Sequence, residues 1–328
     1  AHSTYSDGGG SVREILSATV KTGLDFLILT DHNTLDAREA GYEGWHDDLL
    51  LIVGDEISTR HGHCLALGTN SHVNHCQKTS AILSDINEQG GHAYIAHPHG
   101  RYRPLLKMRD HSWQAWDAGV FTGIELWSYM FDWATTFHYS RFMNHYKDPD
   151  AQINGPLDET LAKWDELCQH RRVVALGGVD AHARKFPLLP IVVFPYNQQF
   201  RTLRTHILCR QALTDSSEGD IKTVLDTLSE GSCFLSLDKV ADATGTRFGS
   251  PDGDLNMGEE TVYQDETDLV VHLPQDAQIS MVKDGSSVDK ATTSEYTYRA
   301  KGHGVYRVEA RLDGRPWIFT NPIYLRHS

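Results

Sequence analysis

Four largely apolar runs in this chain end on the same kind of residue, and that repetition restricts its architecture more than any other feature. FLILT (26–30) runs into Asp31-His32, LLLIVG (49–54) into Asp55-Glu56, HAYIA (92–96) into His97-Pro98-His99, and VVALGGV (173–179) into Asp180-Ala181-His182. Short apolar runs without polar alternation are strands buried on both faces. Further strands are predicted at CLALG (64–68) and TGIELW (122–127). Amphipathic segments come between them. Ser11–Thr22 opens with a capping box (Ser11 and Glu14), places Val12, Ile15, Leu16 and Thr19 at helical spacing, and stops at Gly23. Helices are also predicted near Ser80–Gln89, Leu157–His170 and Asp220–Ser229. Strands alternating with helices predict a parallel sheet covered on both faces, closed as a βα barrel or open and doubly wound. No internal repeat is visible, and neither GVDAH nor GDEIS has the GxGxxG spacing of a dinucleotide fingerprint.

The texture changes after Leu237. Residues 238–262 are rich in Gly, Asp, Ser and Thr. DLVVHL (268–273), QISMVKDG (278–285), EYTYRA (295–300), GVYRVEARLDG (304–314) and PWIFTNPIYL (316–325) then read as strands, with KDGSS and LDG as hairpin turns. A chain of 328 residues has room for one large α/β domain and a smaller one. The expected division is a barrel over 1–237 and a small, sandwich-like all-β domain over 238–328.

In a parallel βα architecture the C-terminal ends of the strands share one rim, where catalytic groups collect. Strand ends carrying His32, Glu56, His97, Asp180 and His182 therefore converge. His2 and Asp7 of the opening AHSTYSDGGG and His63 of RHGHCLALG join them. One strand-end histidine is ordinarily a hydrogen-bonded structural residue; the argument rests on several strands repeating the pattern. Imidazoles and carboxylates without a thiolate suit Zn²⁺, Mn²⁺ or Fe. Eight such donors exceed what one ion uses, which points to two or three ions sharing carboxylates. Asp31 and Asp55 read as capping or supporting neighbours of these ligands. His72, His75 and Cys76 (SHVNHC) read as a loop outside the site. His111, His138, His145, His170, His206, His272, His303 and His327 fit no strand-end pattern.

A net charge of −14 argues against nonspecific nucleic-acid binding, which needs lysine and arginine to displace counterions from phosphates. Bound cations can reverse the sign locally, so a small anionic substrate stays open. The five cysteines are scattered without CxxC spacing and read as reduced thiols. No apolar run approaches the ~18–20 residues of a membrane span. No signal peptide is visible, so a cytoplasmic location is expected. A periplasmic or secreted one stays open because the opening HSTYSDG reads as part of a motif.

HSTYSDG, TDHNT, GDEIS, the histidine of GHCLALG, AHPHG and GGVDAH, in this order over residues 1–182, resemble the PHP (polymerase and histidinol phosphatase) metallohydrolases. The tail GVYRVEARLDGRPWIFTNPIYL is similar to the branch with a C-terminal β-domain grouped with carbaryl hydrolases. The resemblance implies a distorted (β/α)7 barrel holding two or three divalent ions. It implies one ion at His2, Glu56 and Asp180, a second bridged through Glu56 to His63 and His97, and a third at Asp7, His32 and His182. It also implies a histidine just before Ala1.

Such a site predicts ester hydrolysis, with a water bridging two ions activated as hydroxide. A phosphoester is the favoured substrate and a carboxylic or carbamate ester the rival; a noncatalytic metal-binding module is the third reading. His99 is the candidate proton donor or substrate contact. Arg184, with Arg101, Arg103 and Lys185, is placed to bind an anionic group. Trp127 and Tyr129 read as core packing or as an apolar pocket wall. The expected partner is a small-molecule ester. Oligomeric state is not indicated, and packing or oligomerisation is the default role for the β-domain.

Overall fold

The computed structural model describes residues 1–100, 110–137, 148–184, 192, 194–264 and 267–327. Seven strands form the first sheet: β1 (Phe26–His32), β2 (Gly44–His46), β3 (Leu49–Thr59), β4 (Gly62–Leu67), β5 (His92–Ile95), β6 (Gly123–Ser128) and β7 (Val174–Gly178). Their order is β1-β3-β4-β5-β6-β7, with β2 on the first half of β3. β1 runs parallel to β3, and β5, β6 and β7 run parallel to one another.

CLALG departs from the parallel sheet expected. It is antiparallel to both neighbours, with Thr59 opposite Gly62 on one side and Cys64 opposite Ile95 on the other. Only Arg60 and His61 separate that Thr59–Gly62 pair. A link so short can make only a hairpin, because a parallel return needs a crossover of a dozen residues or more.

The continuous LLLIV run is explained by two-sided burial. Leu49, Leu51 and Val53 pack with Val12 and Ile15 of the helix Val12–Thr19 and with Leu27 and Leu29. Leu50 and Ile52 pack with Leu67, Tyr94 and Val174 and with Val224 and Leu228 of the helix Ser217–Ser229. The helix Val12–Thr19 begins with the expected capping box: Ser11 Oγ accepts the Glu14 N–H, and the Glu14 carboxylate accepts the Ser11 N–H at 2.7 Å.

The sheet curls so that its first and last strands approach. Ala1 and His2 lie extended between them, with the Thr30 N–H donating to Ala1 O at 2.8 Å and the His2 N–H to Ala181 O at 2.9 Å. The outer edge of β7 is met by side chains instead of a strand. Asn321 accepts the Ala175 N–H (2.8 Å) and donates to Ala175 O (3.0 Å). The Thr205 hydroxyl accepts the Gly177 N–H (3.0 Å) and donates to Gly177 O (2.9 Å). A sheet edge satisfied in this way offers no template for a further strand.

The second sheet has nine strands: β8 (Leu203–Ile207), β9 (Cys233–Leu237), β10 (Arg247–Gly249), β11 (Glu260–Val262), β12 (Asp268–Lys283), β13 (Ser286–Arg299), β14 (Gly304–Leu312), β15 (Arg315–Thr320) and β16 (Ile323–Arg326). All pairings are antiparallel except β11 with β16. DLVVHL and QISMVK form the single strand β12, which changes neighbours along its length. Its first half pairs with β10 and its second with β14, and the register shifts between His272 and Ala277. The sheet is thus branched and folds around one core that includes Phe248, Val271, Met281, Tyr306, Val308 and Trp317. The hairpins turn where expected, with both residues of Asp284-Gly285 (φ 50° and 80°) and of Asp313-Gly314 (φ 51° and 77°) left-handed, as a two-residue hairpin requires.

The expected division after Leu237 coincides with the end of β9, while the hydrogen-bonded sheet extends back to Leu203 through β9–β15 and β8–β9 pairing. The two sheets are also joined by buried polar contacts. Arg307, 3 % exposed, makes a two-point ion pair with Asp165 (2.9 and 2.9 Å) on the helix Asp158–His170.

Candidate metal centre

All eight residues expected at the rim lie in one cluster. Their donor atoms fall into groups whose members lie within 4.8 Å of one another: His2, Asp7, His32 and His182; His32, Glu56 and His63; and His2, Glu56 and Asp180. His97 joins through Nε2, 3.2 Å from Glu56 Oε1. His63 reaches the rim because β4 runs backwards: it stands near the start of its strand, beside the C-terminal end of β3.

Sharp turns aim these side chains inward. Asn33, His97, Asp180 and Ala183 all have left-handed backbones (φ 55°, 28°, 49° and 45°), a conformation uncommon outside glycine and concentrated at functional sites. The opening loop is pinned by Asp31, whose buried carboxylate accepts the Ser3 N–H (2.7 Å) and the hydroxyls of Ser3 (2.7 Å) and Ser6 (2.6 Å). This is the supporting role expected of Asp31. Asp55 likewise stays out of the cluster and accepts from His72 Nδ1 at 2.8 Å.

Glu56 is the centre of the arrangement. Its Oε1 lies 2.7 Å from His63 Nδ1 and 3.2 Å from His97 Nε2, and its Oε2 lies 3.1 Å from His2 Nε2. His2 Nε2 is also 3.1 Å from Asp180 Oδ1, and His182 Nε2 is 3.1 Å from Asp7 Oδ1. Both ring nitrogens of His2 are buried, yet neither has a hydrogen-bond partner of acceptable geometry. Its nitrogens and the carboxylate oxygens therefore converge without pointing along hydrogen bonds to each other. That arrangement, with its nitrogen and oxygen donors, fits a divalent cation.

The electrostatics are those of a dense, water-poor cluster. Burial disfavours a charged Glu56, but the close imidazoles of His2, His63 and His97 override it and hold the carboxyl well below its usual range. Burial likewise opposes protonation of His2, but Asp180 and Glu56 raise it to about 9. Asp7 is lowered against burial by His182, with Arg184 and His2 contributing. Negative charge thus gathers where a cation would sit.

No family model matches the chain. A segment of 111 residues, 31% of the chain, is 29% identical to the uncharacterized protein MJ1587 of Methanocaldococcus jannaschii. The match spans 59% of that relative's length.

The remaining expectations divide. Arg184 lies at the cluster, exposed, with its guanidinium on Asp7 Oδ2. His99 is not part of the cluster. The turn closed by the Gly100 N–H on His97 O carries its ring to the helix Asp158–His170, where Nδ1 lies 2.9 Å from Thr160 Oγ1. Trp127 and Tyr129 are each 1% exposed and belong to the core. Arg101, Arg103, His138, His145 and Lys185 lie outside the described residues.

Two more residues stand at the cluster: His111, which fits no strand-end pattern, and Glu125, which went unnoticed in the sequence. His111 sets its ring 4.4 Å from that of His63, and burial followed by the charges of His63 and His97 lowers it to about 4. Glu125, 7% exposed, accepts the His97 N–H at 2.8 Å. Its signal was available: TGIELW holds a lone carboxylate in an otherwise buried strand. A cavity of about 780 Å³ borders Glu56, His97, Glu125 and Asp180.

Proposed function

We propose that the chain is a metal-dependent hydrolase of the PHP type, built on a distorted (β/α)7 barrel, that cleaves a small anionic phosphate ester. One observation carries this reading. Glu56 is a buried carboxylate with both oxygens shared, Oε1 toward His63 and His97 and Oε2 toward His2, within a cluster of eight nitrogen and oxygen donors. His2, Glu56 and Asp180 would hold one ion; Glu56, His63 and His97 a second; Asp7, His32 and His182 a third. Divalent ions bound there supply a lowered pKa for coordinated water and polarise the ester oxygen.

The chain's own part is placement. The left-handed turns at His97 and Asp180 and the Asp31 clasp on Ser3 and Ser6 hold the donors in position before substrate arrives. Arg184, exposed beside Asp7, offers positive charge at the solvent edge for the anionic part of the ester. The negative net charge favours a small molecule over nucleic acid. All five cysteines are free, which favours a reducing compartment. No helix among the described residues is long and apolar enough to cross a membrane.

The test is a substrate panel with added Mn²⁺ or Zn²⁺: p-nitrophenyl phosphate, bis-p-nitrophenyl phosphate and 1-naphthyl esters. Release of p-nitrophenol is the expected result. Cleavage of the naphthyl esters alone would move the assignment to carboxylic or carbamate esters. Metal binding without turnover on any substrate would leave a noncatalytic metal-binding module.

A further inference from the structure

We infer that Glu125 is the positioning residue that sets His97 against Glu56, and that residue 178 is glycine to leave room for it. The inference rests on the proposed metal-binding role of His97.

The argument begins with where the β5–β6 ladder ends. Its last pairs are Tyr94 with Gly123 and Ile95 with Ile124, so the next pair would be Ala96 with Glu125. The ladder stops there, and the Glu125 side chain takes over. Its Oε2 accepts the N–H of His97 at 2.8 Å, one residue beyond the missing pair. That bond holds His97 at φ 28°, a left-handed backbone that a non-glycine residue adopts only when its surroundings impose it. The ring then stacks on Phe131, with centroids 4.2 Å apart, and Nε2 comes within 3.2 Å of Glu56 Oε1. An ordinary strand continuation would carry His97 along β6 and away from Glu56.

Gly178 supplies an independent observation. Its own φ does not fall in the left-handed range that would demand glycine. A Cβ at this position would meet Glu125 Oε1 at 2.6 Å, so the buried carboxylate or the backbone would have to shift. The second glycine of VVALGGVDAH is therefore explained by the carboxylate lying against it. A carboxylate buried to 7% exposure in a strand interior needs such a purpose, because it gives up its hydration for few partners.

The experiment compares Glu125→Ala, Glu125→Gln and Gly178→Ala in the full chain. Two readouts are used: hydrogen exchange at the His97 amide, and Co²⁺ titration followed by visible absorption. Glutamine keeps a carbonyl acceptor for the His97 N–H, so Glu125→Gln is expected to hold Co²⁺ affinity within about threefold of the parent. Glu125→Ala and Gly178→Ala are each expected to speed His97 exchange and to weaken one class of Co²⁺ site by ~10–100-fold, as loss of a supporting partner does. The inference is overturned if Glu125→Ala leaves exchange and titration unchanged, or if Gly178→Ala is silent. It is also overturned if glutamine is as damaging as alanine, since Glu125 would then act through its charge. A parent chain that takes up no Co²⁺ would sink the metal reading, while His97 exchange would still decide what Glu125 does.

Discussion

Replacing Asn321 with leucine should loosen the join between the two sheets. Asn321 is 1% exposed and bridges β7 to β9. Its side chain accepts the Ala175 N–H (2.8 Å) and donates to Ala175 O (3.0 Å) and Cys233 O (2.9 Å). Leucine has similar volume and no polar atoms, so the packing changes little and the polar loss dominates. Cys233 O keeps the Asn321 backbone N–H at 3.3 Å, whereas both polar groups of Ala175 lose their amide partner. A buried unsatisfied group costs ~1–3 kcal/mol, so two put the expected loss at roughly 2–6 kcal/mol, toward the lower end because Ala175 O keeps the Cys233 thiol at 3.9 Å. Against a total stability of about 5–15 kcal/mol this is large. Urea denaturation followed by tryptophan fluorescence would measure it, since Trp127 and Trp164 are both buried in the core that β7 shares. Asn321→Asp is the informative companion. It keeps an acceptor for Ala175 N–H but sets a carboxylate against two carbonyls, so it should be at least as damaging as leucine. Thr205→Val, which removes one hydroxyl from the same edge, should cost only ~1–2 kcal/mol. A loss below about 0.5 kcal/mol for Asn321→Leu would refute the idea that side chains complete the β7 edge.

Further outcomes follow from other buried polar groups. Arg307→Met should destabilise by roughly 1–3 kcal/mol because the half-buried Asp165 is left unpaired, and adding Asp165→Leu should recover much of that in thermal melts. Asp132 accepts from Trp127 Nε1 and from the N–H groups of Asn154 and Gly155, yet burial raises its carboxyl to about 6 from an ordinary 3.8. The folded state therefore holds this proton more tightly than the unfolded one, so its contribution is greatest below pH ~4 and is lost as pH rises through about 6. Asp132→Asn should gain on the order of 2 kcal/mol over the parent between pH 4.5 and 7, and parallel pH–stability curves for the two proteins would contradict this. Glu56→Gln should lower the number of Mn²⁺ or Zn²⁺ ions bound per chain by at least one, measured by elemental analysis after gel filtration; unchanged stoichiometry would remove Glu56 from the shared position.

Much of this protein is written in local pattern. The capping box at Ser11 and Glu14, the Asp-Gly hairpin turns at 284–285 and 313–314, and the buried runs ending in His, Asp or Glu are short-range signals. Each involves residues within a few positions of one another, so sequence alone determines it. The eight clustered residues could be named for the same reason: each stands beside the strand or turn that delivers it. What only tertiary structure decided are relations between distant segments. His99 met Thr160, some 60 residues on. β8 and β9 joined the second sheet because β15, some 80 residues on, pairs with β9. Glu125 gained a role only when the end of β5 came to rest on it. Strand partner and the partner of a buried carboxylate depend on which surfaces the collapsed chain presses together, and no local window of sequence contains both sides of those contacts.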